Sequence, residues 1–191
     1  MTNEVDRFIE IWDREAAKTV KLLEVLPREQ YDFRPDAEGR SLGEMAWHLA
    51  EVDAYIPFGI EVGEFSRDQR PPGMERPRKV EELAPGYERL HREAAQRVRK
   101  LKPEDLDRKL TFFAMGEMRV RDLLWSSVLL HQIHHRGQLA LMCRLAGGRP
   151  TALYGPTRED FPLPRPKPSA AAQSVTDRAP DSTRSSPPRQ A

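Results

Sequence analysis

The stretch His131-Gln132-Ile133-His134-His135-Arg136-Gly137-Gln138-Leu139 decides how the rest of the chain is read. As a helix it places His131 and His135 one turn apart on the same side, because residues four apart are neighbours on a helix surface. At about 100° per residue, that side also carries Val120, Leu124, Val128, Leu139, Met142 and Leu145. Two imidazoles are thus expected inside an apolar stripe. Unpartnered polar groups in an apolar interior are costly, and neutral imidazole is the commonest metal ligand. A divalent ion is one way to satisfy the pair. Two histidines at helical spacing are equally compatible with an ordinary core or surface role, so a third ligand has to come from elsewhere. Outside this stretch the chain offers only His48 and His91.

Working outward, the helix that carries the stretch is expected from about Arg121 to Ala146. Gly147-Gly148 and Pro150 supply its stop. Cys143 is rotated about a third of a turn from the histidines at about 100° per residue and reads as a small buried hydrophobe. Upstream, Leu110 to Met118, with Thr111-Phe112-Phe113 and Gly116, predicts a short β-hairpin or an irregular apolar loop. A third helix is expected over Val80–Leu101 with Leu83, Tyr87, Leu90, Ala94, Val98 and Leu101 as its seam, and a kink or late start at Pro85-Gly86. His91 sits one residue past Leu90, rotated off the seam, and is expected to face solvent. Glu88-Arg89-Leu90-His91 has the Glu-x-x-His spacing of di-iron bundles, but no second such motif accompanies it.

Further upstream, Ser41-Leu42-Gly43-Glu44 is a capping box that opens a second helix running to about Gly59. Its inward face reads Leu42, Met45, Leu49, Val52 and Ile56. His48 borders that face and can point inward, with Trp47 and Tyr55 as candidate pocket residues. Gly63 to Lys79, rich in proline, reads as a long loop over the bundle. The first helix begins after Thr2 or Asn3 and carries Val5, Phe8, Ile9, Trp12, Ala16, Thr19, Leu22 and Leu23 at helical intervals up to Pro27.

The 191 residues suit one ordinary domain plus an appendage. A bundle domain is expected over residues 1–161. From residue 162 to 191 the chain is rich in Pro, Ser, Ala and Gln with almost no apolar residues, so a disordered tail is expected there. Net charge is +1 with both signs interspersed, which gives no basic stripe for nucleic acid. No apolar run is long enough for a bilayer, and Met1-Thr2-Asn3-Glu4 does not open a signal peptide. One cysteine excludes an internal disulfide framework. A cytoplasmic setting without membrane or nucleic-acid partners is expected.

Four amphipathic helices with Ala46-Trp47-His48-Leu49-Ala50 on the second and His131-Gln132-Ile133-His134-His135-Arg136-Gly137-Gln138 on the fourth resemble the DinB/YfiT-like family. The resemblance runs from about residue 5 to 155, and the His-His-Arg-Gly-Gln ending is its most specific part. It implies an all-α four-helix bundle. It also implies a divalent ion held by three histidines, here at the matching positions His48, His131 and His135. His134 falls where the family also carries other aromatic residues and is not a matching ligand. Some relatives are S-transferases that activate a low-molecular-weight thiol toward an electrophile, so both are implied as partners. Homodimerisation through helix faces is left open. The family name refers to inducibility by DNA damage, which implies a stress-response setting and not DNA binding.

Three imidazoles leave a position open on the ion, the pattern of catalytic zinc sites, whereas structural sites are closed by four ligands. Zinc or nickel is expected, with iron or manganese as alternatives. Ligating histidines usually donate their other N–H to an acceptor; Gln138, Ser127 and Glu44 are placed to offer one, though each also suits an ordinary polar position. Besides the enzyme, two readings stay open: a non-catalytic metal-binding stress-response protein, and an interaction module.

Overall fold

The computed structural model describes residues 3–161. Four helices form a bundle: α1 Glu4–Glu24, α2 Leu42–Val62, α3 Leu83–Val98, and α4 over residues 120–145. Between α3 and α4 lies a two-stranded antiparallel sheet, β1 Lys109–Thr111 and β2 Glu117–Arg119, with Leu110 opposite Met118. Each helix starts where its sequence dictates. Asn3 accepts the Asp6 N–H at the head of α1, and Ser41 and Glu44 complete a reciprocal capping box at the head of α2. Pro85 falls in the first turn of α3, where backbone N–H groups lack helical acceptors in any case, so of the expected kink or late start the structure shows the late start, at Leu83. Gly86 is required there by a close approach, because a Cβ would stand 2.8 Å from the Trp47 ring.

Helix α3 packs on both α1 and α2, and α4 closes the ring by packing on α2 and α1, so α1 and α2 lie on the diagonal. Two apolar clusters fill the interior. One gathers Leu22, Trp47, Leu49, Leu83 and Leu139; the other gathers Phe8, Trp12, Ile56, Val98 and Val128. Each such fully buried side chain contributes about 1.5–3 kcal/mol. The loop 63–79 is tied down by side chains reaching its carbonyls: Trp47 Nε1 to Met74 at 3.1 Å and Tyr55 Oη to Ser66 at 2.7 Å.

Helix α4 buries Val120, Leu124, Val128, Leu139 and Met142 as expected but is not a uniform α-helix. Leu123–Leu130 is π-helical, flanked by α-helical Val120–Asp122 and His131–Leu145. Its buried positions Leu124, Val128, Gln132 and Arg136 recur every four residues. At 100° per residue three such steps would rotate the stripe by about 120°; the wider turns of a π-helix absorb that drift. The core face below the π stretch is therefore Gln132, Arg136, Leu139, Met142 and Cys143. The histidines stand beside it, and Leu145, expected on the same stripe, is 57% exposed.

Residues Met1–Gly155 form one compact unit, and a second begins at Pro156. Of the second, a turn over 157–160 is described, with Asp160 Oδ2 accepting the Thr157 N–H. The tail expected over 162–191 lies outside the described residues. No described helix is long and apolar enough to cross a membrane.

Candidate metal centre

Helices α2 and α4 bring His48, His131 and His135 together. One ring nitrogen from each lies within 4.8 Å of the other two. His48 Nε2 is 3.1 Å from His131 Nε2. Two nitrogens bound to one tetrahedral ion at roughly 2.0–2.1 Å would be about 3.3 Å apart, so the spacing suits a shared ion. The donor set also suits one, being three nitrogens with no competing cation among them.

The electrostatics keep the His131 and His135 rings neutral. Burial, followed by the neighbouring His135 and His48, pushes the His131 pKa down to about 4. Burial also lowers His135, partly offset by its hydrogen bond to Gln138. Gln138 Oε1 sits 2.5 Å from His135 Nδ1. An amide oxygen only accepts, so Nδ1 carries the proton and Nε2 keeps a free lone pair. Glu51 Oε2 lies 3.6 Å from His48 Nδ1, on the far side of that ring from His131. Glu44 is committed to its cap and to Arg34 and Arg76. His134 is exposed and outside the cluster.

His91 does not face solvent. It is 9% exposed and bridges two carboxylates, Asp53 Oδ2 at 2.9 Å from Nδ1 and Asp13 Oδ1 at 3.0 Å from Nε2. Asp53 is fully buried and also accepts Trp12 Nε1–H at 3.1 Å and Tyr87 Oη–H at 2.8 Å. Gln132 donates to the Leu49 carbonyl at 2.9 Å. Lower in the bundle, buried Arg136 donates to Glu15 and to the Tyr154 hydroxyl. Burial opposes the charge on Glu15, but Lys18, Tyr154 and Arg136 together bring its pKa down to about 2. The sequence held one signal for this layer. Asp53 stands four residues after Leu49 and three before Ile56, inside the inward face of α2.

A cavity of about 590 Å³ opens beside His48 and His131. Tyr55 and Ile56 of α2, Ser126 and Ser127 of α4, and Phe112 and Phe113 of the hairpin line it. Phe113 holds φ at +47° and stacks its ring on Tyr55 at 6.1 Å between centroids. That backbone conformation costs a non-glycine residue about 1–2 kcal/mol, and here it aims an aromatic ring at the cavity wall. Trp47, by contrast, is 1% exposed and belongs to the core.

A four-helix bundle with three histidines converging beside an apolar cavity defines a class of helical proteins with a candidate metal site. Within that class, the sequence model of the DinB family matches residues 1–167, and the chain belongs to the DinB family. It is 28% identical to the uncharacterized protein YrdA of Bacillus subtilis (strain 168), covering 87% of this chain and 99% of YrdA. A solved DinB-like protein from Bacillus cereus ATCC 10987 superposes with a TM-score of 0.64 at 26% identity, covering 77% of this chain and 95% of that one. YfiT from Bacillus subtilis superposes with a TM-score of 0.61 at 16% identity, covering 77% and 90%. YfiT is described as a probable metal-dependent hydrolase with an unusual four-helix bundle topology; at this identity it shares the fold alone.

Proposed function

We propose that this protein is a divalent-metal-dependent enzyme in which His48, His131 and His135 hold the ion and a low-molecular-weight thiol is activated, by loss of its proton, to attach intact through its sulfur to an electrophile. The observation that carries the reading is the convergence of three imidazoles at the edge of a cavity large enough for a substrate. A divalent ion in such a site lowers the pKa of a thiol or a water molecule and supplies a nucleophile at neutral pH. The chain's own residues do the rest. Gln138 fixes the tautomer of His135, and Glu51 stands behind His48 to orient its ring. The low proton affinity of His131 keeps its lone pair available. The apolar hairpin residues Phe112 and Phe113 give the reacting groups an apolar wall on one side. Zinc or nickel suits three nitrogens with a sulfur.

A second reading, activation of water for hydrolysis, is favoured by the description of YfiT. Elemental analysis followed by cobalt substitution separates the two. Thiol activation expects a panel of low-molecular-weight thiols to include one that produces a sulfur-to-metal absorption band and turns over with a generic electrophile. Chelation is expected to stop that turnover without unfolding the bundle. A cobalt spectrum indifferent to every thiol, with ester or amide hydrolysis lost on chelation, would replace thiol transfer by hydrolysis. Unfolding on chelation without turnover would reduce the ion to a structural role.

A further inference from the structure

The cavity beside the histidines has two chemically distinct parts. Its wall is apolar, built from Tyr55, Phe112 and Phe113 together with Met74, Met115 and Met118. The rings are mutually packed, with Phe65 against Phe112 at 4.8 Å between centroids behind that wall. Methionines adapt to varied apolar shapes. The remaining charged groups around the opening are Arg40, Arg67, Arg70 and Glu51. Glu51 is the one carboxylate in the described lining, and it faces His48 Nδ1 at 3.6 Å.

The arginines are disposed differently from those elsewhere on the bundle. Arg34 and Arg76 bind Glu44, Arg97 binds Glu61, Arg99 binds Asp13, and Arg136 binds Glu15. Arg40, Arg67 and Arg70 are exposed and make no ion pair or hydrogen bond among the described residues. Arg40 lies near enough to His131 and His135 for its charge to lower their proton affinity, and Arg70 near enough to Tyr55 to do the same there. Three guanidinium groups around a low-dielectric recess focus a positive field into it, and guanidinium forks match carboxylate and phosphate oxygens. Neutral substrates gain nothing from that arrangement. A small inorganic anion would leave the apolar wall unfilled.

We propose that the cavity binds an amphipathic organic anion, its aromatic or aliphatic body against Tyr55, Phe112 and Phe113 and its carboxylate or phosphate head at Arg67 and Arg70, three residues apart on the loop over 63–79, with Arg40 adding to the positive field. This names the substrate class of the site described above and rests on the cavity serving the histidines. At about 590 Å³ the space suits a drug-sized molecule, for which pockets of roughly 300–1,000 Å³ are usual. With the head at Arg67 and Arg70, the opposite end of the molecule is the one left to reach His48 and His131.

The test is fluorescence titration of the full chain with anilinonaphthalene sulfonate and, in parallel, with N-phenylnaphthylamine, which has the same rings and no charge. The sulfonate is expected to bind one saturable site more tightly than the amine at low salt. The double variant Arg67→Ala/Arg70→Ala is expected to weaken the sulfonate about tenfold, as two solvent-exposed charge contacts would, and to leave the amine unchanged. Equal affinities with no effect of the double variant would overturn the assignment, as would absence of a saturable site. Competition by naphthoate against naphthyl phosphate decides whether the head group is a carboxylate or a phosphate. Inorganic phosphate displacing the dye as well as naphthyl phosphate does would also overturn it, since the apolar body would then contribute nothing. His135→Ala, which lies outside the cavity lining, is expected to lose the metal and keep the dye. Dye binding lost with metal retained refutes the substrate class alone, and the opposite pattern refutes the metal reading alone.

Discussion

His91 and His131 are both sheltered side chains on neighbouring parts of one bundle, yet their surroundings drive their proton affinities in opposite directions. For His91, burial favours the neutral ring, but hydrogen bonds to Asp13 and Asp53 and the charges of both outweigh it, bringing the pKa up to about 9. Around His131 burial acts the same way and nothing opposes it. The nearest partners are two more imidazoles, and the pKa falls to about 4. One histidine is therefore a cation that joins α1, α2 and α3. The other is a neutral lone-pair donor beside a cavity. The difference lies in what the fold places within hydrogen-bond reach, since His91 is the more deeply buried of the two and still holds its proton the more tightly.

The largest expected effect separates the two directly. His131→Ala or His135→Ala should take bound metal from stoichiometric to none by elemental analysis, while His91→Ala should retain it. Equal loss from all three would erase the contrast and point to general unfolding.

Next in size is the buried carboxylate. Asp53→Ala leaves the His91 cation, Trp12 Nε1 and Tyr87 Oη without their acceptor. Removing one partner of a buried ion pair costs about 3–5 kcal/mol, which urea unfolding would measure. Metal content of the folded fraction should be unchanged. A loss below about 1 kcal/mol, the range of an exposed pair, would show that the His91 network does not hold the helices.

The pH dependence of stability follows from the same group. The folded pKa of His91, about 9, exceeds the ordinary value of 6.5, so the folded state holds the proton more tightly than the unfolded chain. Its contribution is fully present below 6.5 and declines until pH passes about 9. The gap corresponds to about 3 kcal/mol at about 1.4 kcal/mol per unit. Unfolding midpoints taken across this window should fall for the wild-type chain and stay flatter for His91→Gln. Parallel curves would assign the loss to other groups.

The smallest effect sharpens the neutral site. Gln138→Ala removes the acceptor at His135 Nδ1 and should weaken metal binding about 10–100-fold, read by competition with a chelating dye. Helicity should not change. An unaltered affinity would mean that Gln138 does not orient the ring.

How much of this was legible depends on the distance over which each feature is specified. The Ser41–Glu44 cap, the stripe of α1, the hairpin before α4 and the pairing of His131 with His135 are local, and each was readable from spacing. The inward turn of His48 was readable as a border position on α2, and its meeting with His131 was implied by the family resemblance. His91 was misread because its seam position is only one residue off centre. Its partners Asp53 and Asp13 lie 38 and 78 residues away. On α4 the expected stripe positions Val120, Leu124, Val128, Leu139 and Met142 are buried, whereas the inward turn of Gln132 and Arg136 and the exposure of Leu145 were not legible, because an apolar run over 123–130 does not announce that it will fold as a π-helix.

By itself the sequence determined the helices, their caps and the chemistry of the candidate ligands, because hydrophobic period and capping act within a few residues. Only the tertiary structure decided that α1 and α2 lie on the diagonal and which polar groups meet in the core. It also decided that the loop over 63–79 and the hairpin close a cavity with three arginines at its mouth. Those features are contacts between distant segments. Their energies arise from burial and pairing that exist only once the four helices have packed.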